Sequence, residues 1–263
     1  MISLLLAVAG QAYAERIHVA VASNFTTAMK QLVRDFETST GHQVSVSYGS
    51  SGKFYAQIIH GAPYHVFFSA DQNKVAALND KELTVKASQI TYAVGRLALW
   101  SNKNGIEIPS AEALVEGKFN RIAIANPNLA PYGIAAIEVI DALKITSAVA
   151  NKLVRGENIA QTYQFVSTGN AEYGFVAYAQ LLASISKPSG AYWLVPEHLH
   201  RPIMQDAILL KRGEQNMAAR EFLEYVQSEQ AQQIIESFGY QSVDGPHSIR
   251  EVQENLVMLE VQE

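Results

Sequence analysis

The chain has 263 residues, 20 Lys/Arg against 25 Asp/Glu for a formal net charge of −5, and no cysteine. That charge argues against nucleic acid as the main partner, because a phosphate backbone demands a Lys/Arg-rich surface. Lack of cysteine removes disulfides, a thiol nucleophile, thiolate metal sites and a lipid-modified N-terminal cysteine, while the length allows one large or two modest domains.

Residues 1–14 are apolar and end in Ala12-Tyr13-Ala14, after which charge begins at Glu15-Arg16. The stretch is too short to span a bilayer as a helix. It reads as a signal peptide with a small-residue cleavage site, although the usual basic beginning is missing. The expected location is therefore periplasm-like, where a protein of this size needs no disulfides. No later run is long and apolar enough to be a membrane span.

Strand and helix patterns alternate from Ile17. Ile17 to Ala22 is an apolar strand and Thr26 to Thr38 a helix; Val44 to Tyr48 is a strand and Phe54 to Ile59 a helix. Val66 to Ser69 is a strand, with Asp71 the expected cap of a helix over Lys74 to Leu78. A second series starts near Tyr92, with strands at Leu97–Trp100, Arg121–Ala125 and Gly174–Ala177 and a helix at Gly133–Leu143. Ala207–Leu210 then reads as a strand, followed by helices at Met217–Val226 and Gln230–Phe238. Alternation of this kind predicts α/β architecture, with mostly parallel sheets flanked by helices.

No Pro/Gly/Ser-rich linker divides the two series. Two lobes joined by crossing strands are expected, residues 15–92 plus 206–243 forming the first and 93–205 the second; one continuous sheet is the alternative. Residues 244–263 stand apart. Asp244-Gly245-Pro246 breaks the preceding pattern, and Ile249, Val252, Leu256 and Leu259 have rough helical spacing, which predicts a short amphipathic appendage of no assigned function.

Four strand-to-helix junctions are rich in donors. They are Ala22-Ser23-Asn24, Tyr48-Gly49-Ser50-Ser51-Gly52-Lys53, Asn126 to Gly133, and Gly156 to Gln161. Helix starts carry free N–H groups and partial positive charge, so they can hold an anion without a buried cation. In open α/β sheets such ends gather ligands in a crevice. Taken singly each junction is an ordinary cap; the set points to an anion site.

Competing chemistries fail. Gly52-Lys53-Phe54 lacks the hydroxyl and spacing of a phosphate-binding P-loop. Lys53 stands where a G-x-S-x-G elbow around Ser51 needs glycine. His198, His200 and the distant His247 have no spaced carboxylate to complete a zinc site. Asp71 and Asp206 read as a cap and a structural hydrogen-bonder. With no nucleophile–base pair near the junctions, a binding module is favoured over an enzyme.

Seven co-linear motifs give a resemblance. ASNF at 22–25, YGSSGKFYAQI at 48–58, GAPYHVFFSAD at 61–71, NPNLAPYGIAA at 126–136, GENIAQ at 156–161, TGNAEYGFV at 168–176 and IMQDAILL at 203–210 resemble the periplasmic molybdate-binding proteins of ABC importers. The resemblance covers about Ile17 to Val243. It implies a two-lobed periplasmic binding protein with a ligand cleft between the lobes, no catalysis and no cofactor. The implied ligand is molybdate or tungstate, delivered by a monomer to an ABC permease in the inner membrane.

Carried over residue by residue, the implied ligand set is Ser23 with Asn24 beside it, Ser51, and the backbone N–H groups of Tyr132 and Ile159. A tyrosine donor used by some members falls here on Ala177, with Tyr178 next to it; that donor is lost, or replaced by Asn24 or the Tyr132 side chain. His65 stands where the family often has an acid and reads as a surface substitution without effect. Sulfate or another oxyanion is the alternative ligand, and a two-lobed enzyme the alternative of another class.

Overall fold

The computed structural model describes residues 14–103, 109–183 and 190–243. The signal-peptide reading, apart from Ala14, and the appendage at 244–263 lie outside the described residues. In chain order the first half runs β1 (Arg16–Ala22), a 3-10 turn (Ser23–Phe25), α1 (Thr26–Thr40), β2 (Gln43–Gly49), α2 (Ser51–Ile59), β3 (Val66–Phe68), α3 (Asn73–Asp80), β4 (Ile90–Gly95) and β5 (Leu97–Ser101). Then come α4 (Ala111–Glu116), β6 (Ile122–Ala125), α5 (Pro131–Ala142), α6 (Thr146–Val149), β7 (Leu153–Gly156), α7 (Ile159–Ser167), β8 (Tyr173–Ala177) and α8 (Tyr178–Leu182). The chain continues with β9 (Ala191–Leu194), β10 (Ile203–Leu209), α9 (Met217–Val226) and α10 (Glu229–Ser237). No helix among the described residues is long and apolar enough to cross a membrane.

The strands form two five-stranded sheets, β2-β1-β3-β10-β4 and β7-β6-β8-β5-β9, one per lobe. Both sheets are mixed. Four strands of the first run one way and β10 runs against β3 and β4; in the second, β5 runs against β8 and β9. The reversed strands are the ones by which the chain enters a lobe from the other, so each comes in from the end opposite to its neighbours. Central strands β3, β6 and β8 are buried along their whole length, as strands covered on both faces must be.

Pairing moves the crossing points by three residues at each boundary. Ala93, Val94 and Gly95 pair with Gln205, Met204 and Ile203 in the first sheet, not the second. Uninterrupted ladder bonding, rather than any change in composition, carries these residues into that sheet. One core lies beneath α1, α9 and α10 on a face of the first sheet, where Met29, Leu32, Phe36, Phe222 and Ile235 are buried together. The stripe of Ala28, Met29, Leu32 and Phe36 on α1 has the spacing that makes one helix face apolar. A second core gathers α5 against the other sheet, and it includes Ala22 and Ala70 from the first lobe's strand tips. The two lobes therefore meet in contact at those tips.

Asp71 Oδ1 accepts the Lys74 N–H at 2.8 Å, but α3 begins at Asn73 with Gln72 in the cap position, so Asp71 reaches the helix start from one residue further out. Asp206 is fully buried and accepts from Thr91 Oγ1 (2.7 Å), Gln89 Nε2 (2.6 Å) and Gln72 Nε2 (3.1 Å). It is a structural hydrogen-bonder.

Candidate functional site

Four strand tips turn into helices where the lobes touch. A helix start leaves its first N–H groups without intrahelical partners, and the local sequence decides which of them stay free. At α2, Ser50 Oγ accepts the Lys53 N–H (3.3 Å), and the Gly52 N–H crosses to Leu129 O of the other lobe (2.9 Å). Only the Ser51 N–H is left of that turn. At α5, Pro131 has no N–H to offer, while Gly133 and Ile134 return to Ala130 O at 2.9 and 3.3 Å. The Tyr132 N–H remains. At α7, the Asn158 side chain takes the N–H groups of Ala160 (3.0 Å) and Gln161 (3.1 Å), which leaves that of Ile159. Each helix start thus keeps one amide unspent.

Two hydroxyls join them. Ser51 Oγ accepts the buried Ala70 N–H at 2.9 Å and so retains its own proton to donate. Ser23 Oγ makes no hydrogen bond to any described residue, and Ser23 is buried at the tip of β1. Ser23, Asn24, Ser51, Tyr132 and Ile159 all line one cavity between the lobes, with Pro131 and Asn158 among its other walls. No Asp, Glu, Lys, Arg or His is in that lining. The space left free at the cavity's centre is about 10 Å³, and the cavity opens on one side rather than being sealed. A cleft of about 160 Å³ adjoins it along Ala70 and Pro131. A larger apolar cavity of about 700 Å³, walled by Val94, Leu97, Val195 and Leu199, gathers none of these helix starts.

The electrostatics are those of neutral dipoles. Three helix N-termini point partial positive charge at the cavity. Burial pushes the Tyr132 hydroxyl well above the usual phenol range and does the same to Tyr92 and Tyr240 behind it, so all three are neutral. An ion pair bridges the lobes outside the lining: Lys53 Nζ on α2 meets Glu157 Oε2 of the other lobe at 2.6 Å, both about half exposed.

All five residues expected from the sequence are brought together. The Asn24 side chain, however, is turned away from the cavity. Its Nδ2 donates to Gln205 Oε1 (2.8 Å) and to Tyr240 Oη (3.1 Å), which uses both of its hydrogens. Neither Asn24, Tyr178 nor the Tyr132 hydroxyl replaces the donor missing at Ala177. Tyr178 packs its ring on Tyr192 and under Arg96, and the Tyr132 hydroxyl accepts from Gln205 Nε2 at 3.3 Å and is also hydrogen-bonded to the Asn24 side chain, on the side away from the cavity. Of the possibilities, loss of that donor fits this arrangement.

His65 is more than a bland surface replacement, because its Nδ1 accepts the His18 N–H at 2.9 Å. His198 and His200 are not part of any cluster able to hold a metal among the described residues; His247 lies outside them. Sequence reasoning missed the contacts across the cleft (Gly52 with Leu129, Lys53 with Glu157) and the buried group around Gln205. Pro131 at the first helical position and Asn158 at a helix cap were the readable signals for which amides stay free.

The chain matches the model of a family described as bacterial extracellular solute-binding protein over residues 17–241. It is 45% identical over 236 residues to the molybdate-binding protein ModA of Azotobacter vinelandii, covering 90% of this chain and 93% of that one. The molybdate-binding protein ModA of Rhodobacter capsulatus is 41% identical over 239 residues, covering 91% and 93%. Among solved structures, the Azotobacter vinelandii periplasmic molybdate-binding protein superposes with a TM-score of 0.82 at 36% identity, over 86% of this chain and 99% of that one.

Proposed function

This chain belongs to the family of bacterial extracellular solute-binding proteins, and we propose that it captures molybdate, and tungstate with it, for delivery to an ABC permease in the inner membrane. It works in the periplasm as a monomer, with no catalysis and no cofactor besides the cargo. One observation carries the reading. Three helix starts with a single unspent amide each, plus the Ser23 and Ser51 hydroxyls, converge on an uncharged cavity between two lobes. Charge-assisted bonds from such donors contribute about 1.5–3 kcal/mol each. Together they suit a compact anion with acceptors on every side.

The donor character of the lining also discriminates. Phosphate carries a proton near neutral pH; the amides cannot accept its O–H, so a serine hydroxyl would have to accept it in place of donating, a mismatch that lowers affinity. Molybdate and tungstate are fully ionised and nearly equal in size. Sulfate is ionised as well, so size alone separates it. Calorimetric titration with molybdate, tungstate, sulfate and phosphate tests this: tight binding of the first two alone is the expected result. A preference for sulfate would assign the protein to another oxyanion, and binding of none would refute the reading.

A further inference from the structure

Behind the cavity lies a polar group that the anion does not touch. Gln205, on β10 just after the chain has crossed back into the first lobe, is fully buried. Its Oε1 accepts from Asn24 Nδ2 (2.8 Å) and from Tyr92 Oη (2.9 Å), and this fixes which way the amide faces. Its Nε2 then points at Tyr132 Oη, 3.3 Å away. Asn24 adjoins Ser23 on the first lobe; Tyr132 supplies the free amide of α5 on the second. One side chain, seated at the crossing itself, therefore touches a residue of the site from each lobe.

Gly95, the last residue of β4 before the other crossing, leaves room for this arrangement. A Cβ there would sit 2.2 Å from Tyr132 Oη and 2.6 Å from Gln205 Nε2. The Tyr132 ring consequently enters a slot open only because residue 95 has no side chain. Within this group, Tyr132 is the one member from the second lobe, since Asn24, Tyr92, Gln205 and Tyr240 all belong to the first. Hinged separation of the lobes withdraws Tyr132 and breaks the Gln205–Tyr132 bond, while the Asn24 and Tyr92 bonds stay intact.

We propose that Gln205 is a positioning residue that couples anion capture to lobe closure: its bond to Tyr132 forms as the lobes close and holds the Tyr132 N–H against the anion. This rests on the anion-binding reading above. Opening must break that bond, so the bond acts on release rather than on encounter. The Tyr132 hydroxyl contributes nothing to the anion directly, and removing it leaves every anion donor in place.

A double-mutant cycle tests the proposal, with Tyr132→Phe, Gln205→Met and the pair together, read by titration and stopped-flow kinetics with molybdate. Each single change is expected to raise Kd about tenfold through faster dissociation, at an unchanged association rate. The double variant should be no weaker than Gln205→Met alone, because the bond between the two residues is already lost there, while the Asn24 and Tyr92 donors that Gln205→Met also leaves unpaired weigh equally with or without the Tyr132 hydroxyl. Multiplying effects, or a Tyr132→Phe protein that binds like the wild type, overturns it. Gly95→Ala supplies a second route if Gln205→Met fails to fold. It keeps every anion donor but blocks the slot, and should weaken binding and abolish the ligand-induced contraction seen by small-angle scattering. Normal contraction in that variant also overturns the proposal. If the wild type takes sulfate instead of molybdate, the cycle is run with sulfate and the role of Gln205 is judged on the same non-additivity; a wild type that binds no oxyanion sinks both readings.

Discussion

Ser23 and Ser51 offer the same hydroxyl to the cavity but are tied into the protein differently, so alanine at each separates anion recognition from folding. Ser23 Oγ has no partner among the described residues, and Ser23→Ala removes a donor and nothing else. Ser51 Oγ also accepts the N–H of Ala70, itself only 2% exposed. Ser51→Ala therefore deletes an anion donor and strands a buried amide. One charge-assisted bond is worth about 1.5–3 kcal/mol, and the stranded amide costs about 1–3 kcal/mol of stability. At 1.4 kcal/mol per decade, both variants should lose affinity by roughly 10- to 150-fold. Only Ser51→Ala should melt earlier without ligand, by about 2–4 °C for each kcal/mol in a chain of this size. Calorimetry measures both quantities, by titration and by thermal scan. An unchanged Kd for Ser23→Ala would refute the assignment of its hydroxyl to the anion. Equal losses of unliganded stability would refute the argument about Ala70.

Ile159→Pro deletes the N–H at a helical position where proline is tolerated; roughly tenfold weaker binding by titration is expected, with Ile159→Ala changing affinity far less because its amide persists. Gly52→Ala would place a Cβ 3.0 Å from Leu129 Cα and 3.1 Å from Leu129 O across the cleft, and crowding of that kind should lower affinity about tenfold by hindering close approach of the lobes. Lys53→Ala breaks the half-exposed pair with Glu157, which is worth no more than about 1 kcal/mol, so dissociation should quicken by less than about fivefold and the difference should shrink in high salt. His65 is held below its ordinary pKa, chiefly by burial and then by the nearby His18 and Arg212 charges. Its folded state prefers the neutral ring, so the stability it contributes is present above the unfolded value of about 6.5 and lost as pH falls below it. Melting curves from pH 7.5 to 5.5 should show that loss, and His65→Asn should make the slope shallower.

The fold was legible where apolar runs and helical stripes are long. Residues 17–22, 26–38 and 217–226 were readable because burial on one face imposes period and length together. The strands Leu153–Gly156 and Ala191–Leu194 were not, since both lie at the edges of their sheet and are only partly buried, unlike the equally short but wholly buried β3 and β6. The crossing points were displaced for a related reason: Tyr92 to Val94 and Leu97 to Leu99 are apolar on both sides of the crossing. Within the site, Ser23 and Ser51 could be found as hydroxyls at helix starts, whereas Tyr132 and Ile159 came only from the resemblance: an amide donor leaves no mark on its own residue, and the signals that do exist, Pro131 and Asn158, stand one position before it. Gln205 escaped notice because its importance lies in contacts with Asn24 and Tyr132, 181 and 73 residues away.

That two apolar-bodied residues supply donors follows from how the helix starts are capped. The Asn158 and Ser50 side chains, the Leu129 and Ala130 carbonyls and the absent N–H of Pro131 dispose of the other first-turn amides. What remains for the anion is the amide that no cap has claimed, and the side chain attached to it is free to do other work. Ile159 buries its side chain in the core around α5, and the Tyr132 ring enters the slot beside Gly95 and Gln205, so the direction of each N–H is fixed by the packing of the side chain it carries. Recognition is thereby moved from side-chain chemistry to the placement of rigid helices. A larger or smaller anion cannot be met by a change of rotamer; it must be met by shifting α5 or α7 against β6 and β8. The cavity's preferred size is on this account a property of the second lobe's packing, so substitutions that reshape Ile159 or Val166 beneath α7 should change anion selectivity without altering a single donor.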